Sequence, residues 1–159
     1  MTTPSKPNIE EFNWNYLGYL ASNVRALLLP RTAGKPLQLA SRDLQYLNKG
    51  RQFFESAVAG CASYSEPHRL FSVREHNVPP AATALRIAVD VYTDIHATPP
   101  LSLQDLSDTL KEYLAVIDEV QAERVPKKPD LQAGLARFLD ALVQRATIER
   151  YRAITHQLA

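Results

Sequence analysis

Proline placement constrains this chain more than any other feature. Eleven prolines and only five glycines occur in 159 residues. Most of the prolines fall between stretches whose apolar residues recur with helical spacing, at Pro30, Pro79–Pro80, Pro99–Pro100 and Pro126 with Pro129. Proline lacks an amide proton and clashes with the preceding turn, so helices are expected to stop there. Strand signals are weak, the best being 70–73. The spacing therefore predicts an all-α, single-domain bundle of about five helices over residues 1–159, mostly antiparallel neighbours. Residues 1–7 read as a flexible N-terminus, 67–80 as an interhelix loop and 126–129 as a Pro/Lys linker before the last helix.

The first helix is expected from about Asn8 to Leu29. At about 100° per residue, Glu11, Asn15, Gly18, Ser22 and Arg25 form one narrow polar stripe, and Ile9, Phe12, Tyr16, Leu17, Tyr19, Leu20, Val24 and Leu27 fill the rest. Ser41 caps a second helix to about Tyr64, with Leu44, Leu47, Phe54, Val58 and Cys61 along one side. Pro80 opens a third, in which Leu85, Ala88, Val89, Tyr92 and Ile95 are expected to face the core, widened by Ile87 and Val91. Ser102 is the N-cap of a fourth helix, with Asp105 three residues on and Leu103, Leu106, Leu110, Leu114, Ile117 and Val120 on its apolar face. Asp130 is read as the cap of a last helix, where Leu131, Leu135, Phe138, Leu139 and Leu142 give way to Ile148, Tyr151, Ile154 and Leu158.

Apolar residues make up 45% of the chain and the formal net charge is +1. Such a balance supplies no overall attraction to nucleic acid or anionic membrane. Charge is uneven, however: the fourth helix is acidic and the fifth is basic, so the two could attract each other or meet partners of opposite sign. The single cysteine excludes an intramolecular disulfide and a multi-cysteine metal cage. The N-terminus has no apolar leader and no run is long enough to span a bilayer, so a cytoplasmic protein is expected.

Chemistry-bearing residues cluster in CASYSEPHRLFSVREHN, 61–77. Cys61, His68, Glu75 and His76 are competent ligands, but they show none of the close HxxxH, HExxH or CxxC spacings that place two donors on one metal. Cys61 lies on an apolar helix face, where a thiol behaves as a small hydrophobe, and nothing local activates it as a nucleophile. Asp90 and Asp94 stand one turn apart. With Arg86 they read as a solvated stripe, Arg86 and Asp90 pairing along the helix. No phosphate loop, nucleophile elbow or dinucleotide fingerprint occurs, and no cofactor is implied.

The first helix is richer. Phe12, Trp14, Tyr16 and Tyr19 crowd its start. Aromatics with a polar tip are enriched at interface cores, so these four are the expected partner-binding residues. The leading expectation is a non-enzymatic interaction module: an adaptor, assembly factor or complex subunit meeting a protein partner or a second copy. A helical metal protein or enzyme around His68, Glu75, His76, Asp90 and Asp94 is the alternative, and a carrier of a small apolar ligand between helices one and three is a third reading.

Three strings, Tyr16-Leu17-Gly18-Tyr19, Gly50-Arg51-Gln52-Phe53-Phe54-Glu55 and Arg69-Leu70-Phe71-Ser72-Val73-Arg74-Glu75-His76, loosely resemble in their order the helical rubisco-assembly chaperones called RbcX. The likeness covers less than half of the chain. That family continues its last string as one long helix, where Pro79 and Pro80 stand here, so the chain is not assigned to it. The resemblance implies a dimeric, non-enzymatic helper of a larger assembly.

Overall fold

A computed structural model describes residues 14–28, 39–62, 81–97, 102–124 and 127–158. Five helices account for nearly all of them: α1 (Trp14–Leu27), α2 (Ser41–Ala62), α3 (Ala81–His96), α4 (Leu103–Gln121) and α5 (Pro129–Leu158). The all-α bundle expected from proline spacing is the observed fold. The expected loop at 67–80, the N-terminal residues and Leu29 to Gln38 lie outside the described residues.

Helix ends follow from local chemistry. The Ser102 hydroxyl accepts a hydrogen bond from the Asp105 amide at 3.0 Å, satisfying an amide that the helix itself leaves open. At the far end of α4 the Arg124 amide donates to the Glu119 carbonyl and the Glu123 amide to that of Val120, both at 2.9 Å. That pattern needs a left-handed residue, and Glu123 takes it with φ 59°. Asp130 is not the cap of α5. The helix begins one residue earlier at Pro129, whose fixed φ and missing amide suit a first helical position.

Two helices, α2 and α5, organise the packing. Each touches α4, α3 and α1. Along α1 and α5 the contacts pair Gly18 with Ala146, Arg25 with Asp140 and the Leu28 carbonyl with Gln132, so the two run antiparallel. Along α2 and α4, Arg51 meets Asp118 and Phe54 meets Tyr113, again antiparallel. The exception is α1 against α2, where Tyr19 meets Tyr46 and Val24 meets Gly50, so these successive helices run the same way.

The core is one cluster. Phe138 is fully buried in it, its ring 5.4 Å from Phe54 and 5.7 Å from Tyr113. Such tilted pairs suit the ring quadrupoles and add to area burial. Around them pack Leu17, Leu47, Ile87, Leu106, Leu110, Ile117, Leu135 and Leu142, all fully buried.

Three expected faces are rotated. The polar stripe of α1 is partly a seam: a Cβ on Gly18 would stand 2.9 Å from that of Ala146, and Arg25 pairs with Asp140. Glycine there lets α1 and α5 approach closely, which reads in sequence as a gap in the apolar arc. In α3 the most deeply buried side chains are Ala84, Ile87, Ala88 and Val91, while Val89, Tyr92 and Ile95 are only partly covered. Small alanines admit the neighbouring helices on that side. In α2, Leu44 is exposed and Phe53 is buried.

Candidate partner-binding face

Of the four aromatics expected to meet a partner, Phe12 lies outside the described residues. Trp14 is buried, with 6% of its surface exposed. It belongs to the core cluster. Tyr16 is half-buried, and burial, with the neighbouring Tyr46, pushes its hydroxyl pKa up. Tyr19 is the outward one, 52% exposed.

Tyr19 is joined by two residues of α2 that sequence reading passed over. Its hydroxyl lies 3.1 Å from that of Tyr46, and the rings meet edge to face at 5.8 Å and 78°. The Arg42 guanidinium donates from Nε to the Tyr46 hydroxyl at 3.3 Å and from Nη2 to that of Tyr19 at 3.5 Å. Its carbon sits 5.8 Å from the Tyr46 ring centroid, within cation–π range. The Tyr46 hydrogen bond and then Arg42 lower the Tyr19 pKa, and the same contacts, Tyr46 first, raise that of Arg42. Both hydroxyls accept from the guanidinium and one donates to the other. One phenolic proton is therefore left to point away from the trio.

The parallel run of α1 beside α2 assembles this face. Arg42 and Tyr46 stand four apart, on one face of α2, and Tyr19 projects from α1 against them. The i, i+4 spacing was legible, but which helix would flank it was not.

The other titratable candidates are spoken for or lie outside the described residues. Asp90 and Asp94 do not form a free stripe with Arg86. Arg145 of α5 reaches Asp90 at 3.4 Å and Asp94 at 4.0 Å, and Glu149 at 3.2 Å. Among the described residues no three His, Cys, Asp or Glu side chains gather as a metal would need. His68, Glu75 and His76 lie outside the described residues. Cys61 is half-buried and burial pushes its thiol up, away from the reactive thiolate. The apolar-carrier reading places its ligand between α1 and α3, and α2 and α5 each pack on both of these helices.

The charged helices also part company. The α4 acids look outward to several neighbours: Asp118 to Arg51, Glu119 to the Lys127 amide at 2.8 Å, and Glu123 to the Leu39 amide at 3.2 Å. The α5 bases Arg145 and Arg152 instead join Glu149 and the α3 acids. No helix of the described residues is long and apolar enough to cross a membrane.

No protein-family model, curated protein or solved structure matches the chain, so the strings shared in order with RbcX do not extend to a family match.

Proposed function

We propose that the protein is a non-enzymatic interaction module, an adaptor, assembly factor or complex subunit, and that its partner docks on the face made by Tyr19, Tyr46 and Arg42. The observation that supports this reading is the aromatic–arginine trio itself, in which Tyr19 and Arg42 are exposed and Tyr46 is half-buried. Tyrosine and arginine are the residue types enriched where a few side chains carry most of the binding energy. Here they stand on two helices and hydrogen-bond to one another, which lowers the rotamer freedom to be lost on docking.

The test is quantitative co-purification from the cells that make the protein, comparing wild type with a Tyr19→Ala, Tyr46→Ala double variant. The partner recovered with wild type should be lost from the double variant while its circular dichroism stays that of wild type. Undiminished recovery from the double variant would overturn the reading. Trp14→Ala serves as the contrast: it should lower the melting temperature, because this residue belongs to the core.

A further inference from the structure

We propose that this face takes an acidic segment of a partner protein, one that lays a carboxylate against Arg42 and an apolar side chain on the two phenol rings. The inference rests on the docking reading above and adds the partner's chemistry.

Charge complementarity carries it. The other arginines seen to bridge two helices each meet a carboxylate: Arg25 meets Asp140, Arg51 meets Asp118, and Arg145 meets Asp90. Arg42 also bridges two helices, but onto phenols. Among the described residues no carboxylate lies within ion-pair reach of it. Its neighbour Asp43 is turned back to the Ala40 amide at 3.0 Å. A guanidinium has five N–H donors in a fixed fork, and the contacts at 3.3 and 3.5 Å occupy two of them loosely. The remainder match a carboxylate in the bidentate geometry that makes such bonds strong. The phenolic proton left over by the trio is a further donor to the same group. Lys49 follows on the same side of α2, since seven residues bring a helix almost round to the same direction. The face is thus positive and aromatic, which disfavours a basic partner and steers an acidic one.

The experiment is selection of a random-peptide display library on the full chain, run in parallel on wild type, Arg42→Glu and the Tyr19→Ala, Tyr46→Ala variant. Wild type should enrich peptides with Asp or Glu beside an apolar residue, and these should bind Arg42→Glu at least about tenfold more weakly. Arg42→Glu should itself enrich peptides bearing Lys or Arg in place of the acid. Enriched peptides without acids, acids indifferent to Arg42→Glu, or no enrichment at all would overturn the proposal. Peptides lost with the tyrosines but untouched by Arg42→Glu would overturn it and leave the docking face standing. Peptides that ignore both variants would overturn the face as well. Sedimentation of the same proteins covers a second copy as occupant: a dimer dissolved by Arg42→Glu would overturn the proposal.

Discussion

Two glycines on α2 and α5 invite opposite outcomes from the same substitution. A Cβ on Gly60 would lie 2.5 Å from the Ala81 carbonyl oxygen and 2.8 Å from the Leu85 Cβ. The first of these is backbone and cannot turn aside. Gly60→Ala should therefore cost about 1–3 kcal/mol as overpacking, despite alanine's better helix propensity. At Gly134 the nearest atom is the Tyr113 hydroxyl at 3.4 Å, an ordinary contact. Gly134→Ala should be neutral or stabilising by up to about 1 kcal/mol, and urea unfolding of the pair checks the contrast. Phe138→Ala removes a fully buried ring and should cost about 3–5 kcal/mol by the same measurement. Tyr113 gives a pH signature. Burial raises its pKa above that of the unfolded chain, so the folded state keeps the proton longer. Its stabilisation is intact below about pH 10 and is lost as pH rises through the folded value, which Tyr113→Phe should remove from the alkaline melting profile. None of these neighbours is visible in sequence, where a glycine on a helix reads only as a missing side chain.

At the scale of the element, helix positions were legible and helix faces only in part. Prolines bound the segments, and Ser102 announced its own cap because capping is a matter of residues three apart. Ser102→Ala should cost about 1 kcal/mol. The left-handed residues at the ends of α3 and α4 carried no glycine to mark them: Ala97 has φ 56°. Ala97→Gly relieves that conformation and should raise stability by about 1 kcal/mol, seen as a higher urea midpoint with unchanged slope. The faces misread in α1 and α3 share a cause. Periodicity ranks side chains by hydrophobicity, whereas Gly18 sits in the α1–α5 seam and Ala84 is buried because they are small. The docking trio was hidden for another reason: Arg42 and Tyr46 are unremarkable on α2 until α1 comes alongside with Tyr19.

For the whole molecule, the length of α5 is the feature with the widest reach. At about 45 Å it is roughly twice as long as α1, its main neighbour. Among its described side chains the last buried one is Ala146, after which Ile148, Tyr151 and Ile154 stand 47%, 69% and 54% exposed. One continuous hydrogen-bonded ladder thus spans two regimes, one held by the core and one held by little beyond the helix itself. An isolated helical run shorter than about 12–15 residues is marginal in water. Opening of that end need not wait for the molecule to unfold, so its amides should exchange with solvent fastest of any along α5, in a gradient that steepens just past Ala146. Limited trypsin should likewise cut at Arg150 or Arg152 well before Arg137. The same helix would then report two clocks, global unfolding at its start and local fraying at its end.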